Sequence, residues 1–331
     1  MAEDISLKIS IIGSGRLGLT LAYAIAKENS PGVSIVSVSS RSDKSLNNAK
    51  EILQKSRENI LFTKNNLIAA NVSNCIFICT PDDEIEKVCQ EIFEAGNPDN
   101  TGHFGNSFTC SCKTTSSSNF KIFSPETMSV IHFSGSKKID ILNSAKKAGA
   151  SIACMHPLKS FASALESAKS LENTLYGVTY EKNDIKIQKI ISTLSAILKG
   201  RTLFVENDKK TLYHASACIA SNYLVSLIDF AIETGAEIGL NPEIFLGGIV
   251  KLSEGTLGNV KKLGTKKALT GPIARGDLNT IKEHVKVIKS LNREDIKEVY
   301  EIMGEKAAKI ALENTWINDK TYNELIKILK S

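Results

Sequence analysis

The sequence predicts an α/β domain built on a parallel sheet, followed by an all-α domain. Three observations predict it. A short apolar strand near the start of the chain runs into a glycine-rich turn and a helix; strand and helix patterns then alternate; and no convincing strand pattern follows Asn207. The 331 residues suffice for two domains, placed on this reading at 1–206 and 207–331.

The first strand carries Ile9, Ile11 and Ile12, after which Gly13, Gly15 and Gly18 fall at G-x-G-x-x-G spacing and an Ala/Leu-rich helix begins. Gly13 supplies a tight turn, Gly15 lets backbone approach a diphosphate, and Gly18 lets the helix pack on the strand, with unpaired N–H groups aimed at an anion. A plain glycine turn in a βα unit is the competing reading. Strand before and helix after favour a Rossmann-type dinucleotide-binding unit, in which Gly13, Ser14, Gly15, Arg16, Leu17 and Gly18 hold the diphosphate.

The second strand, through Val33, Ile35, Val36 and Val38, ends in Ser39, Ser40, Arg41 and Ser42, where a selector of the free ribose hydroxyl would be acidic. Arg41 can fork onto a 2′-phosphate while Ser40 and Ser42 add donors, so NADPH (NADP+) is expected. Asp43 keeps NADH as the alternative. The next strand, "NCIFICT", ends at Thr80 and Pro81, which should border the cofactor, and the following helix has Ile85, Val88, Ile92 and Phe93 on one face.

Residues 96–126 form a long insertion rich in Asn, Gly, Ser and Thr, either a functional lid or a disordered segment. The α/β pattern resumes with "MSVIHFSGS", a helix ending at Gly149, the strand "SIACMHPLKSF", and two strands, "TLYGVTYE" and "GRTLFVE", on either side of a helix. Thr211 to Leu240 reads as one apolar helix, interrupted by His214, Ser221, Asn222, Ser226 and Asp229 too often to span a membrane.

Composition, at 42% apolar and 23% charged, is that of a globular protein. The net charge of +5 is scattered, which suits an anionic cofactor and a small acidic substrate and does not call for nucleic acid. No basic segment followed by an apolar run opens the chain, so a cytoplasmic protein is expected. Seven cysteines without a C-x-x-C pair suggest core thiols rather than disulfides, and Cys110 and Cys112 with His103 match no zinc pattern, so no metal is expected.

The segments "GSGRLG", "TPDDEI", "VIHFSGS", "MHPLKSF", "YHASACIASNYLVSL" and "ALTGPIARGD" followed by His284 resemble, in that order, bacterial proteins with a Rossmann-like domain and a DUF2520 C-terminal domain. That family looks like a branch of the superfamily of 6-phosphogluconate dehydrogenase, pyrroline-5-carboxylate reductase and ketopantoate reductase. The resemblance implies reductase chemistry, a substrate bound between two domains, and a homodimer paired through the C-terminal domains. The insertion at 96–126 is longer than the family pattern.

Reducing a carbonyl requires a proton donor near the oxygen and a holder for the acid group. On the central helix His214 and Asn222 are the candidates for catalysis. Eight residues of continuous helix would set them about 12 Å apart along the axis, able to share a cleft wall but not one substrate atom. By spacing, His214 resembles the lysine of ketopantoate reductase, which suggests imidazolium as the proton donor, with Asn222 hydrogen-bonding substrate or nicotinamide. A plain helix histidine is the alternative. His156 follows a strand at the ligand-gathering end of the sheet and is expected to contact substrate, with Ser134 and Gly135 beside it. In "LTGPIARGD", Arg275 can grip a carboxylate or phosphate, Asp277 can cap the next helix or orient Arg275, and Asn259 is placed in the same region; a capped loop alone is the competing reading. The leading expectation is an NADPH-dependent reductase of a small 2-oxo acid, with ketopantoate first to test. A pyrroline-5-carboxylate or other imine reductase is the second, and a non-catalytic NADPH-binding regulator the third.

Overall fold

The computed structural model describes residues 6–54, 59–94 and 124–331. Cys110, Cys112, His103 and nearly all of the insertion expected at 96–126 lie outside the described residues. The chain divides into two compact units, Met1–Cys218 and Ile219–Ser331.

In the first unit, β1 (Leu7–Ile12), α1 (Arg16–Glu28), β2 (Val33–Ser39), α2 (Asp43–Leu53), β3 (Leu61–Thr63), α3 (Asn66–Ala70), β4 (Cys75–Ile78) and α4 (Ile85–Glu94) follow in order. Then come β5 (Ser129–His132), α5 (Asn143–Lys147), β6 (Ser151–Pro157), α6 (Ala164–Lys169), β7 (Leu175–Tyr180), α7 (Ile185–Ile197) and β8 (Arg201–Phe204). One sheet takes the order β3-β2-β1-β4-β5-β6-β7-β8. It is the Rossmann-type α/β architecture that the glycine turn and the alternating elements predict. All neighbours pair in parallel except β6 and β7. The carboxyl ends of β1, β2, β4, β5 and β6 therefore share one edge, where ligands of open α/β sheets collect.

Strand alternation divides the core between the two faces. Ile9, Ile11, Phe77, Ile131 and Met155 pack with the apolar sides of α1, α2 and α7, while Ile12, Ile76, Ile78, Val130 and Ile152 pack with α4 and α5. Burial on both faces explains why these strands read as continuous apolar runs.

The expected single helix from Thr211 to Leu240 is two: α8 (Lys210–Ala220) and α9 (Asn222–Ala236), parted at Ser221, whose φ is −117° and ψ −65°. The axial spacing of continuous helix therefore does not apply to His214 and Asn222. The segment Asn207–Ala236 is long and apolar enough to cross a membrane by length and composition only, an 18-residue stretch of it having a mean hydropathy of 1.5. The first turns of α8 pack within the first unit, through Lys210 and Tyr213.

The second unit is all helical: α9, α10 (Pro242–Lys267), α11 (Leu278–Ser290), α12 (Glu294–Glu313) and α13 (Asp319–Leu329). Ile281, Val285, Ala308, Ala311, Leu325 and Leu329 form its core between α11, α12 and α13. Trp316, the chain's single tryptophan, lies between α12 and α13 and is partly exposed. No residue of α10 is buried.

Candidate active site

The glycine turn takes the geometry its spacing predicts. Gly13 has φ 102°, and a Cβ on it would lie 2.8 Å from the Cys79 carbonyl oxygen. A Cβ on Gly18 would lie 2.2 Å from the Gly13 carbonyl oxygen, whereas one on Gly15, the N-cap of α1, would meet nothing within 4 Å. Two glycines thus close the strand–helix packing, and the third leaves a cradle open to the helix N-terminus. Thr80 Oγ1, at the adjoining tip of β4 beside Pro81, is buried without a hydrogen-bond partner. An open cradle and an orphaned hydroxyl fit a dinucleotide.

Around this turn, Arg16 is exposed and Leu17 packs against the core. The Ser14 hydroxyl turns inward to donate to the Ser45 carbonyl at 3.4 Å. Arg41 is exposed just past β2, its guanidinium 3.7 Å from Glu84, and Ser40 precedes it. Ser42 is the N-cap of α2: its Oγ accepts from Ser45 N and donates to Ser45 Oγ. Arg41→Ala is expected to weaken NADPH binding by about 1.5–3 kcal/mol, the worth of a charge-assisted contact, and NADH binding far less. Fluorescence titration with both cofactors checks this, and an equal loss for both would contradict it.

From the turn, contacts run along the strand tips to a cluster of rings. Asp82, just past Thr80, accepts hydrogen bonds from Ser134 Oγ at 2.6 Å and Ser136 Oγ at 3.1 Å. Gly135, next to Ser134, lies directly beneath two imidazoles: a Cβ there would be 2.4 Å from His214 Cδ2 and 2.8 Å from His156 Nε2. The His156 and His214 rings stand 5.9 Å apart at 70°. His156 Nδ1 pairs with Tyr213 Oη at 3.1 Å, and Tyr213 in turn occupies the space above Gly177, the β7 residue opposite His156. Cys218 Sγ lies 3.7 Å from His214 Nδ1. Burial, then the positive charge of Lys210, then His214 lower the His156 pKa to about 4. His156 is therefore a neutral imidazole at physiological pH, able to hydrogen-bond but not to carry a proton as imidazolium. His132, fully buried and accepting from Ser134 N at Nδ1, is pushed down to about 3, again chiefly by burial.

His214, His156 and Ser134 thus come together within the first unit. Asn222, Asn259, Arg275 and Asp277 belong to the second. Asn222 is exposed at the first position of α9, and Asn259 is exposed on α10. Arg275 is exposed in the turn before α11. Asp277 caps α11, its carboxylate accepting from Thr280 N at 3.1 Å and Thr280 Oγ1 at 2.6 Å, which holds its pKa down. Lys210, Tyr213, His132 and Asp82 were not expected from the sequence. The one signal for the first two was their spacing: Lys210, Tyr213 and His214 stand at i, i+3 and i+4, one face of a helix.

Residues 8–103 match the family model described as NADP oxidoreductase, coenzyme F420-dependent, and residues 177–307 match the domain of unknown function DUF2520. The two matches lie in that order along the chain. This agrees with the superfamily that its motifs resemble, and NADP is the cofactor of the family matched by its first domain. No curated protein matches the chain. Among solved structures, a Bacteroides fragilis protein described as a candidate NADP oxidoreductase is 19% identical with a TM-score of 0.63, over 92% of this chain and 98% of that one. A pyrroline-5-carboxylate reductase of Coxiella burnetii is 15% identical with a TM-score of 0.55, over 97% and 98%. A reductive aminase of Aspergillus terreus, in complex with NADPH and ethyl-5-oxohexanoate, is 13% identical with a TM-score of 0.52, over 98% and 93%. At these identities the likeness establishes the fold.

Proposed function

We propose that the protein is an NADPH-dependent reductase of a small 2-oxo acid, with ketopantoate the first substrate to test. The observation that carries this reading is the bare Gly135 backbone beneath His156 and His214, linked through Ser134, Asp82 and Thr80 to the dinucleotide turn. A protein that only reports NADPH levels needs the turn and Arg41 but not two imidazoles packed on a glycine.

Gly13, Gly15, Gly18 and Arg41 would hold NADPH, which when bound would supply the hydride. The residues of the chain do the rest. Neutral His156, its ring fixed by Tyr213, hydrogen-bonds the substrate; Ser134 holds the strand tip to Asp82; His214 delivers the proton to the oxygen. Substrate-dependent NADPH oxidation across a panel of 2-oxo acids and imines tests the reading. Oxidation with the deazaflavin coenzyme F420 and with no oxo acid would replace it.

The second unit fits a homodimer. Tyr223 and Val225 of α9 and Ile244, Leu252 and Leu257 of α10 are all more than half exposed, and exposed apolar side chains of this kind mark interaction surfaces. Beside them an apolar groove of about 740 Å³, lined in part by Leu227, Phe230, Val287 and Met303, offers a complementary seat for a second copy. Light scattering at micromolar concentration is expected to give twice the 35.9 kDa chain mass. A fully active monomer, or partition into lipid vesicles, would contradict it. Free thiols at Cys75, Cys79, Cys89, Cys154 and Cys218 suit a cytoplasmic enzyme.

A further inference from the structure

Lys210 is 1% exposed and, among the described residues, is the only buried Lys, Arg, Asp or Glu. Its Nζ donates to the Ser134 carbonyl at 3.2 Å and to Cys154 Sγ at 2.9 Å. Both acceptors are neutral: burial raises the Cys154 pKa, so the sulfur is a thiol. No described carboxylate lies within ion-pair distance. Burying an unpaired cation is expensive, and a fold that needed only packing there would place an apolar side chain. The cation sits one residue from Gly135, which the two imidazoles cover. Around it are His132 on β5, Cys154 and His156 on β6, Asp82 beyond β4, and Tyr213 and His214 on its own helix. Asp82, the one carboxylate of this group, is exposed and occupied by the Ser134 and Ser136 hydroxyls.

We propose that Lys210 selects the substrate by charge: its buried, unpaired ammonium favours a neutral C=O group that becomes an alkoxide and disfavours an iminium ion, so the site reduces oxo acids rather than imines. This rests on the reductase reading above. In the favoured step the carbonyl carbon gains a hydride from NADPH, which is oxidised to NADP+. The π pair of the C=O bond moves to oxygen, and the oxygen takes a proton from His214. Negative charge grows on the oxygen near a fixed cation. An iminium substrate would enter already positive and feel repulsion before any bond changed.

The test compares wild-type protein, Lys210→Met and Lys210→Arg on 2-oxo acids and on cyclic imines such as pyrroline-5-carboxylate. Wild type is expected to show the higher kcat/KM on oxo acids. Lys210→Met should lower the oxo-to-imine ratio about tenfold, the scale of one unit charge acting across roughly 10 Å of protein, and Lys210→Arg should restore it. A second readout needs no turnover: NMR titration of the His156 ring should move upward from about 4 in Lys210→Met, because a repelling charge is gone. A wild-type preference for imines, or an unchanged ratio in folded Lys210→Met, overturns the proposal. If Lys210→Met does not fold, the wild-type preference decides. If wild type oxidises NADPH with neither class, the reductase reading itself has failed; an unmoved His156 titration then sinks the field of Lys210 separately.

Discussion

His214→Ala is expected to lower turnover about 10²–10⁴-fold while leaving NADPH affinity nearly unchanged. The two imidazoles that meet over Gly135 divide the work by their surroundings. His156 is neutral down to about pH 4, so at pH 7 it offers hydrogen bonds but no transferable imidazolium proton. The proposed donor is His214, whose ring stands 5.9 Å from that of His156. His156→Ala should therefore act mainly through KM, by removing a substrate contact and releasing Tyr213. Steady-state kinetics on any active substrate, with cofactor affinity measured separately, distinguishes the roles. Turnover that survives His214→Ala but collapses in His156→Ala would reverse them. Turnover indifferent to both would mean that water or another side chain delivers the proton.

Gly18→Ala should damage fold and cofactor binding together, whereas Gly15→Ala should damage binding alone. A methyl group on Gly18 would stand 2.2 Å from the Gly13 carbonyl oxygen, with Cys79 Cβ and Ile11 Cγ2 each 3.2 Å away. Backbone cannot yield as a flexible side chain does, so helix α1 must shift, at a cost of about 1–3 kcal/mol. For a domain of this size each kcal/mol lowers Tm by about 2–4 °C. The same methyl on Gly15 meets no protein atom, and the loss should not exceed the ~0.5–1 kcal/mol of a changed N-cap. Yet Gly15 faces the cradle, so NADPH affinity should drop in that variant with Tm nearly intact. Thermal melts and cofactor titrations of both variants check the contrast. A Gly15→Ala protein that binds NADPH as wild type would place the diphosphate elsewhere.

The parts of this fold written in local chemistry were legible in the sequence. Gly13, Gly15 and Gly18 lie between strand and helix as their spacing requires, and the apolar runs at Cys75–Ile78 and Ser129–His132 are central strands. Asp277 caps its helix. What depended on distant partners was not legible. β3 is three residues long, and the short apolar run at Ile60, Leu61 and Phe62 is too brief to announce a strand, while the reversal between β6 and β7 leaves no mark on either strand. Lys210 looked like one more surface lysine, because its hydrogen-bond partners Cys154 and Ser134 stand 56 and 76 positions earlier in the chain. The break at Ser221 escaped because its flanks are as helical in composition as any continuous helix.

The lone indole of Trp316 belongs to the helical unit, while the dinucleotide turn belongs to the other. Intrinsic emission excited at the tryptophan band and emission from added NADPH therefore watch two separate parts of one polypeptide. In a denaturant series the two signals can be followed in the same cuvette. Coincident transitions would mean that the units melt as one cooperative body, and separated ones that each carries its own stability.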